Sequence, residues 1–205
     1  MTSLSLNKVS KRYGRQWIIR EMTEELNSGE TIGISGRNGS GKSTLLRLLA
    51  GQLTPSRGKL TLTHNDKPVR TDEWYRLVSW TGPYLEVAEE LTIEELFAFH
   101  FGLKPLREGI DLKDLPARIE LAHARKRKLT DCSSGMRQRV LLATALYAAT
   151  PILLLDEPTL TLDEEAIGWF RDELGTCGRA RIVCIASNDA NDLRDVDRII
   201  RTGTA

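Results

Sequence analysis

The sequence predicts an α/β fold with a mostly parallel central sheet, and three observations favour it. Two apolar runs, residues 152–155 and 181–186, have the continuous hydrophobic character of strands that are covered on both faces. A third strand, residues 30–35, leads into a glycine-rich segment and then into an apolar helix at residues 45–53. Strand, glycine loop and helix thus follow one another in the order typical of parallel sheets with helical crossovers.

The remaining elements are placed by periodicity and by breakers. Alternation over residues 3–9 indicates a strand, residues 59–63 indicate another, and the segment between residues 9 and 30 is interpreted as turn-rich. From about residue 84 to 129, apolar side chains recur at helical spacing between charged ones. We therefore expect one domain over residues 1–205, with a helical subdomain inserted at about residues 84–150.

Composition and charge restrict the function classes. The chain has 205 residues, of which 40% are hydrophobic and 28% charged, as in ordinary soluble globular proteins. Lys and Arg total 29 against 28 for Asp and Glu, giving a net charge of +1. Because proteins that track nucleic-acid phosphates carry a strong basic excess, nucleic acid is not an expected partner.

Cysteine usage and hydropathy indicate a cytoplasmic location. Cys132, Cys177 and Cys184 are an odd number without CxxC spacing, which argues against a disulfide framework or a zinc site. The N-terminal residues lack the apolar core of a signal peptide. The longest apolar stretch, residues 140–155, is broken by Pro151 and is shorter than the ~20 residues of a spanning helix. It is interpreted as a buried helix followed by a buried strand.

The glycine-rich segment GRNGSGKS fits the pattern GxxxxGK[ST] in the strand-to-helix context that this motif requires. Backbone N–H groups and the helix N-terminus would hold the phosphates, Lys42 would reach the β and γ phosphates, and Ser43 would bind Mg²⁺. The expected ligand is ATP, bound by Gly36, Arg37, Asn38, Gly39, Ser40, Gly41, Lys42, Ser43 and Thr44. A chance glycine-rich turn is the alternative, and the placement of the motif argues against it.

Two acids, Asp156 and Glu157, end the apolar strand at residues 152–155. One carboxylate, that of Asp156, can bind Mg²⁺, and that of Glu157 can orient the attacking water as a general base. Adjacent acids at the start of a surface loop are the alternative interpretation. A phosphate-binding loop in the same chain favours the catalytic one.

A third motif, CSSGMRQR at residues 132–139, precedes the helix predicted over residues 140–149. Ser133 is well placed to cap that helix, and the free N–H groups of the first turn could bind a second anion. The residues alone leave open whether this is an anion site or a helix cap only.

The order of glycine loop, helical insert, SSGMRQR and ILLLDEPT resembles that of the ATP-binding cassette proteins, with CSSGM where the family usually has LSGGQ. The resemblance covers essentially the whole chain. It implies a P-loop NTPase core with an N-terminal antiparallel β portion. It also implies a head-to-tail dimer with a second cassette subunit, identical or different. In that dimer Ser133, Ser134 and Gly135 of one subunit close over the ATP of the other.

The same resemblance carries further expectations. Tyr13 in KRYG matches the aromatic residue that stacks on adenine, although a lone Tyr at a strand end is otherwise structural, and residues 160–163 match the loop at the dimer seam. The compact length is similar to that of bacterial exporter subunits, including the haem-exporter ATPases of cytochrome c maturation. The resemblance thus implies an ATPase subunit bound peripherally at the inner face of the cell membrane, where it would drive a separate transmembrane permease.

The sequence departs from the family at two positions. Asn188, in Ser-Asn-Asp, stands where the family has the histidine of Thr-His-Asp, and Asn cannot be protonated as imidazole can. The glutamine expected after the strand at residues 77–80 is also absent, and Glu86 is the nearest polar candidate. We therefore expect slow ATP hydrolysis, with Glu157 and Asn188 as the catalytic residues.

Two alternative functions stay open at this point. One is a soluble cassette ATPase without a permease, acting in iron–sulfur cluster assembly or on nucleic acid. The other is a switch in which ATP closes the dimer and hydrolysis is negligible, because Asn188 and the missing glutamine disable it.

Overall fold

The structure is a computed structural model that describes residues 1–83, 85 and 87–203. The strands are β1 (Thr2–Tyr13), β2 (Gln16–Asn27), β3 (Thr31–Ser35), β4 (Arg57–His64), β5 (Lys67–Val69), β6 (Val78–Thr81), β7 (Ile152–Asp156), β8 (Ile182–Ala186) and β9 (Arg198–Arg201). The α-helices are α1 (Lys42–Leu49), α2 (Ile93–Leu103), α3 (Leu115–Arg118), α4 (Ser134–Leu146) and α5 (Glu164–Cys177). Short 3₁₀ turns lie at Thr71–Arg76, Leu112–Asp114, Ala122–Ala124 and Leu129–Asp131.

Two compact units can be distinguished within the chain. The first contains Met1–Trp80, Thr150–Glu157 and the residues from 178 onward, and the second contains Thr81–Ala149 and Pro158–Cys177. The first unit carries the five-stranded sheet β6-β7-β8-β3-β9. In this sheet β3 pairs in parallel with β8 and β9, and β7 with β8. The fold class predicted from the sequence is thereby confirmed.

A second sheet in this unit is antiparallel and has the order β2-β1-β4-β5. The prediction of a turn-rich segment between residues 9 and 30 is wrong, because β2 occupies most of it. β2 is an edge strand, and one of its faces tolerates charged side chains. Its pairing with β1 is also irregular, with register shifts between Leu6 and Lys11, and Lys8 and Glu21 have φ of 50° and 43°. These bulges hide the strand periodicity in the sequence.

The core of the first unit packs both sheets around α1. Leu4 of β1, Ile32 of β3, Leu46 of α1 and Leu154 of β7 are completely buried in one apolar cluster. Helix α1 begins at Lys42, three residues before the predicted start, because the glycine loop passes directly into its first turn. It also ends earlier than predicted, and Gly51 follows it with φ of 72°, a conformation that favours glycine.

The second unit is helical. Its helix α2 begins with a capping box in which Thr92 and Glu95 satisfy each other's backbone N–H groups. Helix α4 includes residues 134–139 and ends at Leu146, so it starts earlier than the predicted helix at residues 140–149. Within residues 1–83, 85 and 87–203, no helix combines the length and the hydropathy of a membrane span. The three cysteines are buried free thiols.

Candidate active site

The candidate site lies in the first unit, where neighbouring parallel strands end. Strands β7, β8 and β3 are adjacent, so their carboxyl ends meet at one edge of the sheet. The glycine loop follows β3, Glu157 follows β7, and Asn188 follows β8. Backbone bonds fix these junctions, because Glu157 N donates to Ala186 O at 2.8 Å and Ser187 N donates to Ile34 O at 3.2 Å. Such an edge is the usual ligand position in an open α/β sheet.

Glycines at both ends of the loop are required by the backbone. Gly36 has φ of 156°, and a Cβ there would lie 2.4 Å from Ser40 Oγ and 2.5 Å from Thr202 Oγ1. Gly41 has φ of 104°, and a Cβ there would lie 2.5 Å from Ile18 Cγ2. Gly41 is also the N-cap of α1, which has no side-chain capping bond. The first N–H groups of α1 therefore remain available to an anion.

Lys42 is held by oxygen atoms from three parts of the unit. Its Nζ donates to Gly36 O at 3.1 Å and to Asn188 Oδ1 at 2.8 Å, and it lies 3.5 Å from Glu157 Oε1. The lysine side chain is 7% exposed and that of Glu157 is 21% exposed. The ammonium group has three N–H donors, which match these three oxygens. Phosphate oxygens could replace them as acceptors, and because Lys42 is already buried, no further water would have to be removed from the cation.

Glu157 is fixed by the residues that follow β8. Its Oε2 accepts from Ser187 Oγ at 3.1 Å and from Asn188 N at 3.4 Å. The Oγ of the completely buried Ser187 also lies 2.7 Å from Asp192 Oδ2, so its single O–H is shared between the two carboxylates. Glu157 has φ of 47°, a left-handed conformation that costs free energy in a residue with a side chain. Strain of this kind is concentrated at functional positions in proteins.

Asp156 provides a test of whether Mg²⁺ fits this site. The residue is 3% exposed, and its Oδ1 is a buried atom without a hydrogen-bond partner in the described chain. Burial raises the pKa of this carboxyl group, while a hydrogen bond with the Ser43 side chain opposes the rise. A buried carboxylate oxygen beside a serine hydroxyl is a donor set suited to Mg²⁺. The residues therefore fit the ion that the sequence predicts.

Tyr13 lies at the β1–β2 turn, where its side chain is 49% exposed. Beside this turn is a cavity of about 470 Å³, lined by residues of β2, by the outer turn of the glycine loop and by residues 201–203. Its lining includes Trp17, Arg20, Arg37 and Arg201, and none of the described lining residues is acidic. The approach to the glycine loop is therefore cationic, which favours anionic ligands.

The third motif, residues 132–139, belongs to the second unit. Ser133 is the N-cap of α4, and its Oγ accepts from Met136 N at 3.2 Å. Ser133 and Ser134 are exposed and Gly135 is half-buried. The loop after β7 packs on this motif, because Thr161 Oγ1 donates to Ser134 O at 3.5 Å. Ser133 thus acts as the predicted helix cap, with its side chain at the protein surface.

A protein-family model described as ABC transporter matches residues 19–160, which include the glycine loop, the capped motif and the Asp-Glu pair. The chain belongs to the ABC transporter family. It is 31% identical over 208 residues to the cytochrome c biogenesis ATP-binding export protein CcmA of Agrobacterium fabrum, covering 98% of this chain and 96% of that protein. The resemblance inferred from the sequence motifs is thereby confirmed.

Two further comparisons define the extent of the likeness. Nod factor export ATP-binding protein I of Cupriavidus pinatubonensis is 33% identical over 169 residues, which are 80% of this chain but 51% of that protein. The chain thus spans about half the length of that relative. The solved structure of a putative ABC transporter ATP-binding protein from Pyrococcus furiosus superposes with a TM-score of 0.81 at 22% identity, covering 98% and 97% of the two chains. This structure shows that the ABC ATPase fold is shared.

The structure brings some predicted site residues of this ABC ATPase domain together. Lys42, Asp156, Glu157 and Asn188 lie in one unit at one sheet edge, whereas residues 133–135 start a helix in the other unit. Glu86, the candidate replacement for the missing glutamine, lies outside the described residues. Sequence reasoning missed the contacts of Asn38 and Ser187, because bonds between distant loops leave no local pattern. The roles assigned to these residues stay predictions.

Proposed function

We propose that the chain binds ATP and Mg²⁺ on the glycine loop and hydrolyses the ATP as one subunit of a head-to-tail pair. The observation that carries the proposal is the convergence of Lys42, Asp156 and Glu157 at the ends of β3 and β7. Phosphoryl transfer to water needs a cation for the phosphates, a carboxylate for Mg²⁺ and a base for the attacking water. The buried Lys42, the buried carboxylate of Asp156 and the carboxylate of Glu157 match these three roles.

The residues divide the chemistry among them. The N–H groups of Lys42, which now contact oxygens of Gly36, Asn188 and Glu157, would donate hydrogen bonds to phosphate oxygens instead. Asp156 and Ser43 would hold Mg²⁺, which when bound neutralises charge on the phosphates. Glu157 Oε2 remains hydrogen-bonded by Ser187, while its Oε1 is released by Lys42 and can accept a proton from the attacking water.

The nucleotide's other contacts are proposed by extension. Tyr13 stacks on adenine from its exposed position at the β1–β2 turn. The exposed Ser133 and Ser134, with Gly135, contact the ATP of the partner subunit through the N-terminus of α4. Asn188 contributes a neutral hydrogen-bonding amide in place of the family's imidazole, and we expect hydrolysis to be slow but real.

The test is Glu157→Gln, with the exposed Glu165→Gln as the matched control. The amide keeps the size of the side chain but cannot accept the water proton, so steady-state hydrolysis should fall by about 10²–10⁴-fold while ATP binding persists. Hydrolysis should be unchanged in the control. Unchanged hydrolysis in Glu157→Gln would exclude this residue as the base, and no single-turnover cleavage by the unmodified protein would favour a binding-only switch.

We further propose that the pair works with a transmembrane permease at the inner face of the cell membrane. The near full-length likeness to an ATP-binding export protein supports this partner, as does the family itself. Purification from gently solubilised membranes tests it by mass spectrometry of the captured proteins. Capture of a hydrophobic permease with the chain is the expected result, whereas recovery of a purely soluble assembly would contradict it.

A further inference from the structure

Two asparagine side chains meet beside Lys42, although they are 150 positions apart in the chain. Asn188 Nδ2 donates a hydrogen bond to Asn38 Oδ1. On its other side, Asn188 Oδ1 accepts from Lys42 Nζ at 2.8 Å. The amide of Asn188 therefore bridges the glycine loop and the lysine at the start of α1.

The two neighbours select the same orientation of this amide. An asparagine amide has an acceptor end and a donor end. Turning Asn188 over would point its N–H groups at the ammonium of Lys42 and its oxygen at the oxygen of Asn38. Both contacts would then be unfavourable while Asn38 keeps its oxygen toward Asn188, so Asn38 reinforces the orientation that keeps Lys42 occupied.

Phosphate oxygens reverse this preference. They accept hydrogen bonds, so they compete with Asn188 Oδ1 for Lys42 and repel that oxygen when they arrive. The amide of Asn188 carries two N–H groups, and the one bound to Asn38 can reach a phosphate oxygen at Lys42 only after the amide turns. The bond to Asn38 opposes this turn.

We propose that Asn38 is a positioning residue that holds the Asn188 amide in the orientation occupying Lys42, and thereby weakens the binding of ATP. The inference rests on the proposed function, since it requires the phosphates to bind at Lys42. Asn38 acts here through Asn188, in addition to any contact of its backbone with the nucleotide. A residue of the phosphate-binding loop thus sets how readily Asn188 is released from Lys42.

The experiment is a double-mutant cycle on the affinity for the non-hydrolysable analogue AMP-PNP with Mg²⁺. Four proteins are compared by calorimetry: the unmodified chain, Asn38→Ala, Asn188→Ala and the double variant. Loss of one net hydrogen bond predicts that Asn38→Ala binds the analogue about 2- to 10-fold more tightly. In the Asn188→Ala background the same substitution should have no effect, because there is no amide left to hold.

A structural role for Asn38 gives a different result. If its side chain only shapes the loop, Asn38→Ala will weaken binding by the same factor in both backgrounds, which would overturn the inference. Equal affinities in all four proteins would overturn it as well and leave the proposed function standing. Absence of binding in the unmodified chain would instead contradict the proposed function. Asn7→Ala, an exposed asparagine of β1, is the control and should bind as the unmodified chain does.

Discussion

The helices α1 and α4 both begin at loops that the sequence predicts to contact ATP, but they begin differently. Helix α1 follows Gly41, which provides no side-chain cap, and its first residue is Lys42. Helix α4 follows Ser133, whose hydroxyl already accepts from Met136 N at 3.2 Å. The start of α1 therefore offers its first N–H groups and a cation to an anion, whereas at the start of α4 the N–H of Met136 is already bound by Ser133.

Because of this difference, the starts of α1 and α4 are unequal as phosphate contacts. The start of α1 can bind a phosphate without help from another molecule, since its lysine and its N–H groups come from the same loop. At α4 a phosphate would have to share or replace the hydroxyl contact of Ser133. We expect the first site to govern the affinity of the isolated chain and the second to matter only within the proposed dimer.

Substitutions of Lys42 and Ser133 distinguish the two helix starts directly. Lys42→Ala removes a charged donor and leaves Glu157 without its cation, so ATP should bind about 10- to 100-fold more weakly. Ser133→Ala should change the affinity of the isolated chain by less than about twofold. Calorimetric titration with ATP and Mg²⁺ at a concentration that keeps the protein monomeric checks both. Equal losses would show that α4 contributes to binding within a single chain.

A second pair compares glycines in the two loops. Gly36→Ala places a Cβ 2.4 Å from Ser40 Oγ at φ of 156°, so the loop must move or the chain must be strained. Strain of about 1–3 kcal/mol would lower the Tm by roughly 2–4 °C for each kcal/mol. A Cβ at Gly135 meets only Thr161 O, at 3.1 Å. Gly135→Ala should therefore leave the Tm within about 2 °C, and an equal fall in both variants by calorimetry would contradict the comparison.

More of the site at the start of α1 than of the site at the start of α4 could be predicted from the sequence. GxxxxGK[ST] after a strand predicts the loop before α1, and Asp156 and Glu157 follow from a buried strand that ends in two acids. The contact of Lys42 with Asn188 could not be predicted, since it depends on which strands are neighbours in the sheet. For Ser133 the sequence predicts the cap, but it predicts the start of the helix six residues late, because the one buried side chain among residues 134–139 is the polar Gln138.

A third prediction tests the cap itself. Ser133→Ala removes the bond to Met136 N and should destabilise the chain by about 1 kcal/mol, which lowers the Tm by roughly 2–4 °C. Ser134→Ala, at the adjacent exposed position, is the matched control and should lower the Tm by less than about 1 °C. Differential scanning calorimetry compares the three proteins. Equal shifts in both variants would mean that Ser133 stabilises the chain by some contact other than the cap.

A smaller change is expected for Asp156, whose carboxyl group is hydrogen-bonded to Ser43 of α1. Because burial raises the pKa of Asp156, the folded state holds the proton more tightly than the unfolded state. The stabilisation from that proton is present at acidic pH and is lost as the pH rises through the folded-state pKa. Asp156→Asn should therefore stabilise the chain at pH 7 by roughly 0.5–1 kcal/mol, which raises the Tm by about 2 °C in a chain of this size. The gain in Tm should become smaller toward acidic pH.

The same substitution should reverse the ranking of the two proteins when Mg²⁺ and ATP are present. A ligand that binds only the folded state stabilises it, and Asp156→Asn removes a proposed ligand of the cation. The unmodified chain should then have the higher Tm, in contrast to the comparison without nucleotide. If Asp156→Asn still has the higher Tm with Mg²⁺ and ATP, Asp156 does not bind the cation. Its buried carboxylate would then destabilise the folded chain without contributing to the binding of the nucleotide.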